Sequence, residues 1–315
     1  MAYTQVSSLD TAGTTAFDKR MYFALRPQLH HDQVATVRPV ATHQGGSVKF
    51  TLRTDLAAAT SALTETSDVT AVAMSDSQVE VTLVEYGNTI NTTAKARGTD
   101  YTAVDADAAN LIGFNAGISL DTLARNELLT VATADYIKFE GQATQGAITA
   151  SDTYSAASIR EVVAGLRGDN VMPFVGTSYI GMIHPDQSVD LRAETGAAGW
   201  AEPVNNTGGE DYRRWQGIVG TFEGVSWIES PRVNLVADGG ASTVDVYQSL
   251  ILGQECLAKA FSSSESAAVP QVRRGPVTDS LMRFHPVGWY WLGGYKRFRE
   301  AAIRRYETAS SIGAN

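Results

Sequence analysis

The chain has 315 residues, which is enough for one large domain or two ordinary domains with a real hydrophobic core. It carries 25 basic against 34 acidic side chains, and the net charge of −9 argues against a general nucleic-acid binder. The single cysteine, Cys256, excludes an intrachain disulfide, and no apolar run approaches the roughly 18 residues of a membrane-spanning helix.

Residues 1 to about 40 are predicted to form an arm. The first 16 are small and polar, and they contain too few apolar side chains to pack by themselves. A short helix-like patch follows over residues 17–25. His30, His31 and Asp32 are residue types that bind metals, but adjacent side chains point in different directions in regular structure. We therefore interpret these three residues as part of a solvated loop.

Two alternating segments predict half-buried strands joined by a long loop. The apolar positions are Val48, Phe50 and Leu52 in the first segment and Val79, Val81 and Leu83 in the second. The alternation changes phase at Val84, which predicts a β-bulge. The connection from Asp55 to Ser77 has no Gly, Pro, Lys or Arg and few large apolar groups. Such a long connection is uncommon inside a compact domain. It is either disordered or packed on another molecule, and its Ala, Val and Thr content favours the second.

The longest helical pattern runs from Val104 to Thr130. Its apolar stripe contains Leu111, Ile112, Ala116, Ile118, Leu120 and Leu123. Asp105 and Asp107 lie in the predicted first turn, where the helix dipole favours negative charge. Gly113 and Gly117 each cost about 1 kcal/mol relative to alanine in a helix interior. We therefore expect this helix to be packed on more than one side.

Alternating strands and helices then predict a small α/β domain over about 132–270. Its elements are a helix with Ser155 as N-cap and Gly168 as its end, a buried strand at 179–183, a helix that begins at His184-Pro185-Asp186, and strands at 225–228 and 244–252. The tail from 275 to 311 is rich in aromatic and basic residues. Because the chain is acidic, we interpret its aromatic cluster as core or interface packing and not as a nucleic-acid platform.

No catalytic constellation emerges from the sequence. Ser178 lies in Gly-Thr-Ser-Tyr-Ile-Gly, which differs from a nucleophile elbow because the second glycine comes one residue late. His184 with Asp186 resembles an acid/base pair, but the helix start explains both residues. Cys256 is interpreted as a small apolar filler. We predict no enzyme activity, no cofactor and no metal site.

Several phrases occur in one collinear order: FALRPQL (23–29), SDSQVEVTLVEYGN (75–88), DADAANLIGFNAG (105–117), MIHPDQSVDLRAETGAAGW (182–200), GTFEGVSWIESPR (220–232) and PVGWYWLGGYKRFREA (286–301). Together with the order of elements, they resemble the major capsid proteins of tailed bacteriophages, which have the HK-ninety-seven-type fold. The chain is most similar to the family named after the major capsid protein of phage N-four.

This resemblance implies an α+β fold with four parts. They are an N-terminal arm (1–44), an extended two-stranded loop (45–95), a peripheral domain with a long spine helix (96–131 and 271–315), and an α/β axial domain (132–270). The tail would rejoin the peripheral domain as a strand. The implied role is a structural subunit that assembles as hexamers and pentamers into the icosahedral head shell around double-stranded DNA, without sequence-specific DNA binding.

The implied partners are other copies of the chain, a separate scaffolding protein, the portal, and decoration or minor capsid proteins, with no membrane. Some relatives carry a scaffolding extension before the arm. Because the predicted arm begins almost at the first residue here, a separate scaffolding protein is expected. The implied location is the virion, and the host cytoplasm during assembly. Some relatives cross-link through a loop lysine, but no lysine lies between Lys49 and Lys95, so no such bond is expected.

The loop and the tail carry opposite charge. Residues 53–80 hold five acidic groups against one basic group, a net of −4, and residues 283–305 hold six basic groups against one acidic group, a net of +5. We expect Glu65 and Asp68 of one subunit to meet Arg297 and Arg299 of its neighbour. Two alternatives stay open: an encapsulin-like compartment shell with the same fold, and a hydrolase that uses Ser178 or His184.

Overall fold

A computed structural model describes residues 30–41, 45–53, 56–63, 65–99, 104–174, 176–193, 218–264, 266–277 and 279–312. The predicted helix-like patch at 17–25 and most of the predicted arm lie outside these residues. Four α-helices are present in the described ranges: α1 (Ala94–Thr99), α2 (Val104–Leu128), α3 (Ala156–Gly168) and α4 (Pro185–Ala193).

Fourteen strands are present in the same ranges: β1 (Ala35–Val40), β2 (Ser47–Arg53), β3 (Asp76–Thr82), β4 (Val84–Thr93), β5 (Ile137–Phe139), β6 (Tyr179–Ile183), β7 (Ile218–Phe222), β8 (Val225–Glu229), β9 (Asn234–Val236), β10 (Val246–Leu252), β11 (Leu257–Ser262), β12 (Gln271–Arg274), β13 (Phe284–Arg297) and β14 (Ile303–Thr308). They form sheets of five and seven strands and a separate two-stranded hairpin, β2–β3.

The long helix α2 confirms the predicted helix and packs on the five-stranded sheet. Its buried face includes Ile112, Ala116, Leu120, Ala124 and Leu128, which recur every four residues. Both helix glycines are also buried, as expected for a helix that is covered on more than one side. Leu111 was predicted to belong to the apolar stripe, but it is 62 % exposed, and Phe114 beside it is exposed as well. The stripe turned toward the core is therefore narrower than the pattern predicts.

The five-stranded sheet is organised by the long strand β13. One edge of β13 pairs antiparallel with β4 over ten residues, and the other edge pairs with β12 and β11 at its two ends. Parallel pairing of β1 with β11 completes the sheet. The indole Nε1 of Trp289 donates to Asn115 Oδ1 on α2 at 2.8 Å, which joins helix and sheet. The tail therefore returns to the spine helix as a strand.

The seven-stranded sheet has the order β5-β14-β10-β6-β8-β7, and β9 also pairs with β10. The helix α3 begins as predicted, because Ser155 caps it by accepting a hydrogen bond from the Ser158 amide. Its apolar positions at 159, 162, 163 and 166 are all buried. At Gly181 a Cβ would lie 2.4 Å from the Trp227 ring, so only glycine allows this close packing of strand and indole.

Strand pairing crosses the boundary predicted at residue 270 in both directions. β14 lies beyond that residue but pairs with β10 and β5, while β11 lies before it but pairs with β13.

The bulge predicted at Val84 is wrong. The chain passes at Leu83 from β3, which pairs with β2, to β4, which pairs with β13. The change of phase thus marks a change of partner strand.

Among the described residues, no helix combines the length and the apolar character needed to cross a membrane.

Candidate subunit-contact surfaces

The loop between β2 and β3 is exposed at every described position. Residues 56–63 and 65–75 form neither helix nor strand. Leu63, Val72 and Met74 are 77 %, 74 % and 68 % exposed, respectively. A segment with several exposed aliphatic side chains is suited to contact with another molecule. The prediction that this loop finds no cover on its own domain is therefore confirmed for the described residues.

The base of the same hairpin is firmly packed. Phe50 of β2 and Val81 of β3 are buried in a small core with Phe298, and the two phenyl rings have centroids 5.4 Å apart. The hairpin therefore has a fixed base on its own subunit and an uncovered tip.

The four residues predicted to form inter-subunit ion pairs are all accessible, but the two arginines already have intrachain contacts. Arg297 Nη1 donates to the Thr130 carbonyl at 2.6 Å and lies 3.1 Å from Glu300 Oε1. Arg299 Nη2 donates to the Asp169 carbonyl at 3.0 Å.

Glu65 and Asp68 are exposed on the loop. Within one subunit, no salt bridge among the described residues joins them to Arg297 or Arg299. Their pairing between subunits stays a prediction.

The segment that carries His31 is not a solvated loop, and this prediction is wrong. His31 is fully buried, and its Nδ1 lies 2.8 Å from Asp121 Oδ1 on α2. Asp121 also accepts from the backbone amides of His30 and His31 and from Arg232 Nε, at 3.1 to 3.2 Å. Burial by itself raises the pKa of Asp121, but the hydrogen bonds and charge of His31, together with the Arg232 charge, outweigh it and lower that pKa.

The neighbouring Asp32 is bound by different groups. Both of its carboxylate oxygens lie 2.7 Å from Lys259 Nζ, and Tyr295 donates to Oδ1 at 2.7 Å. The 3₁₀-helix His31–Val34 turns the two consecutive side chains in different directions, one toward α2 and one toward β11 and β13. Among the described residues, no three His, Cys, Asp or Glu side chains converge on a possible metal position.

Sequence reasoning missed Asp121 and Lys259 as partners of this segment. Neither residue is identified as buried by its neighbours in the sequence. Asp121 lies next to the buried Leu120, and Lys259 lies between two alanines of a strand. The available signal was a charged residue beside apolar positions that face the core, because such a residue requires a partner if it is buried.

The residues considered for hydrolysis do not form a catalytic pair. Ser178 and His184 flank β6 at opposite ends, and six residues of extended chain separate them by about 20 Å. His184 Nδ1 lies 3.2 Å from Asp186 Oδ2, which also accepts from the Tyr247 hydroxyl at 2.8 Å. Burial lowers the pKa of His184, although the carboxylates of Asp186 and Glu229 act in the opposite direction. Burial also raises the pKa of the Cys256 thiol to about 12, so this thiol is an apolar filler, as predicted.

A family model described as phage capsid protein matches residues 9–312. The capsid of Ralstonia phage GP4 is similar in structure, with 14% identity, 90% of each chain covered and a TM-score of 0.73. The cyanophage Pam1 capsid has 14% identity, 88% of this chain and 91% of that chain covered, and a TM-score of 0.67. The head of Helicobacter pylori bacteriophage KHP40 has 13% identity, 90% and 91% coverage, and a TM-score of 0.60. None of the curated proteins matches the chain in sequence.

At 13 to 14% sequence identity, the structural similarity establishes the fold. Membership of the family is established by the family-model match. The encapsulin-like alternative is not favoured, because the matching family is that of phage capsids. The narrower kinship to the phage N-four family stays a prediction. Since the family match spans nearly the whole sequence and the architecture is HK-ninety-seven-like, the chain belongs to the phage capsid protein family and is a major capsid protein, a structural subunit of the virion.

Proposed function

We propose that copies of this chain assemble as hexamers and pentamers into an icosahedral head shell that encloses double-stranded DNA. The observation that carries this proposal is the loop at residues 56–75, which is exposed throughout its described residues although its base is packed. An element that presents aliphatic side chains and finds no cover on its own subunit is suited to a contact with a second copy.

The loop would lie over the peripheral domain of an adjacent subunit. About 22 residues separate β2 from β3, and going out and back they reach about 35 Å when extended. Such a contact is heterologous, because the loop of one copy meets a different surface of the next, and repetition around an axis closes a ring. The division into arm (1–44), loop (45–95), peripheral domain (96–131 and 271–315) and axial domain (132–270) is part of this proposal.

The role is mechanical and not enzymatic. The separation of Ser178 from His184 supports this, since a nucleophile and its base must lie within hydrogen-bond reach. The net charge of −9 supports containment of DNA without sequence-specific binding.

The other partners in this proposal are a separate scaffolding protein, the portal, and decoration or minor capsid proteins, with no membrane. Assembly would take place in the host cytoplasm. In this proposal the scaffolding protein supplies the template that sets the shell radius.

Electron microscopy of the chain expressed with its phage's assembly proteins tests the proposal. We expect closed shells in which both six-fold and five-fold clusters are visible. A species that stays monomeric under every assembly condition, with residues 56–75 protected from proteolysis, would contradict it.

A further inference from the structure

One stripe of α2 is covered by other described residues over its C-terminal part and is open over the part before it. The stripe consists of positions that follow one another at intervals of three and four residues: Leu111, Phe114, Ile118, Asp121 and Arg125. Leu111 and Phe114 are 62 % and 46 % exposed, and Ile118 is half-buried. Three neighbouring apolar positions on one face of a helix form a surface that suits a packing partner.

The covered part of the stripe is bound by the N-terminal segment of the same chain and by Arg232. Asp121 accepts hydrogen bonds from the backbone amides of His30 and His31, at 3.2 and 3.1 Å. Arg125 Nη1 donates to the Arg232 carbonyl at 2.9 Å. The described part of the N-terminal segment begins at His30, so the residues that precede it leave the subunit directly beside the open part of the stripe.

A cavity lies at the far end of the open part of the stripe. It has a volume of about 380 Å³, within the range of pockets that accept large apolar groups. Its lining includes Val104, Ala108 and Leu111 of α2 and Ile90 of β4. Asp107 also lines the cavity, and its side chain is exposed there. The open stripe therefore ends in an apolar recess beside a negative charge.

We propose that residues 17–25 of the same chain form a helix that packs in parallel on the open part of this stripe. Phe17, Met21 and Leu25 follow one another at intervals of four residues and so share one face of such a helix. Pro27 ends the helix and turns the chain toward the 3₁₀-helix on α2. The inference goes beyond the proposed function, because it concerns a single subunit.

The lengths of the two apolar faces agree. The eight steps from Phe17 to Leu25 rise about 12 Å in a helix, and the seven steps from Leu111 to Ile118 rise about 10 Å. With Leu25 beside Ile118, Phe17 reaches Leu111 at the mouth of the cavity. Residues 26–29 are enough to connect this helix to the segment that is bound at Asp121.

Two further observations make the chain's own segment the occupant. A segment joined by four residues to a bound anchor has a high effective concentration at the adjacent surface, which favours it over a segment of another copy. Lys19 and Arg20 are basic, whereas Asp105 and Asp107 lie in the first turn of α2, so the charges are complementary. Burial of the apolar side chains supplies most of the stabilisation, because exposed ion pairs contribute little.

Disulfide formation in the unassembled full-length chain tests the docking. The variant with Met21→Cys and Phe114→Cys places two thiols at facing positions of the two helices. Mild oxidation should give an intrachain disulfide, so the protein should run as a monomer on a non-reducing gel. After denaturation and alkylation, its intact mass should show one labelled thiol, that of Cys256, in place of three.

The matched control is Met21→Cys with Val189→Cys. Val189 lies on α4 and is 45 % exposed, which is close to the exposed fraction of Phe114. This variant should keep three labelled thiols after the same oxidation.

Trypsin gives a second readout. Phe114→Asp places a charge in the middle of the apolar contact, so cleavage after Arg20 should become several-fold faster while the rest of the subunit stays intact. Val189→Asp, the same substitution at a position of equal exposure, should leave this rate unchanged.

Three labelled thiols after oxidation of the Met21→Cys, Phe114→Cys variant, together with equal tryptic cleavage of the two aspartate variants, would overturn the docking. Disulfide-linked dimers and larger species would overturn it as well, because they would place the segment on another copy. Both outcomes leave the proposed shell function standing. Failure of the unmodified chain to form shells would contradict that function and leave the docking unaffected.

Discussion

Asp121 Oδ1 in α2 accepts a hydrogen bond from His31 Nδ1 at 2.8 Å, although the two residues are 90 positions apart in the chain. Both side chains are fully buried, and the second carboxylate oxygen of Asp121 faces Arg232 Nε at 3.2 Å. This contact fastens the N-terminal segment to the middle of the spine helix. The adjacent pair of Asp32 and Lys259 fastens the same segment to the five-stranded sheet.

Replacing Asp121 should therefore be costly. We expect Asp121→Ala to lower the free energy of unfolding by about 2 to 4 kcal/mol, because it leaves the buried donors of His31 without an acceptor and removes the carboxylate that faces the partly buried Arg232. Denaturant unfolding of the unassembled subunit measures the change. Asp105→Ala is the control, since its ion pair with Arg97 is partly exposed and is worth about 0 to 1 kcal/mol. Equal losses in the two variants would contradict the importance of the buried contact.

The same carboxylate predicts a dependence of stability on pH. The pKa of Asp121 is lower in the folded protein than its ordinary value of 3.8, so the ionised form stabilises the fold. This contribution is complete above the unfolded-state pKa and is lost as the pH falls through the lower folded-state pKa. The stability difference between the unmodified chain and Asp121→Asn should be constant near neutral pH and shrink below about pH 4. A difference that does not change down to about pH 2 would count against this assignment.

The Cys256 thiol should be inert in the native subunit. Burial raises its pKa to about 12 and keeps reagents away, and thiolate is the reactive form. A thiol-specific reagent should label less than a tenth of the chains before unfolding and all of them in denaturant, as measured by intact mass. Rapid labelling of folded, assembled protein would show that β10 and β11 open at Cys256.

Assembled particles should contain no covalent bond from the loop. The chain has no lysine between Lys49 and Lys95, and Lys49 lies in β2 at the packed base of the hairpin. Particles boiled under reducing conditions should therefore give a single band near 33.7 kDa on a denaturing gel. A ladder that survives reduction would contradict this prediction.

Charge reversal tests the predicted pairing of Glu65 and Asp68 with Arg297 and Arg299. We expect reversal of either set to weaken assembly, and combination of the two reversed sets to restore it if these groups meet across subunits. Each exposed pair is worth about 0 to 1 kcal/mol and weakens with salt, so assembly yield should be compared at low and high ionic strength.

A combined variant that assembles no better than the worse single set would exclude this pairing.

Local periodicity and capping were enough to predict the helices α2, α3 and α4, the buried strand β6 and the packed hairpin β2–β3. The spacing of Ile159, Val162 and Leu166 and the Ser155 cap act within a few residues of chain, so the sequence by itself determined these elements. The uncovered loop could also be predicted from the sequence, because its composition contains too few large apolar side chains to form a core within one subunit. The order of these elements and the collinear phrases were sufficient to indicate the capsid fold.

Only the tertiary structure decided which strands share a sheet and which polar groups are buried. The alternation of β3 continues into β4 with a change of phase, and no local signal tells a bulge from a move to β13 some 200 residues later. His31 and Lys259 are polar residues whose burial depends on Asp121 and Asp32, which come from distant segments. A charged side chain can be buried only when a partner of opposite charge or a hydrogen-bonding group lies beside it in the core. The tertiary structure decides which residue that partner is, because it comes from a distant part of the sequence.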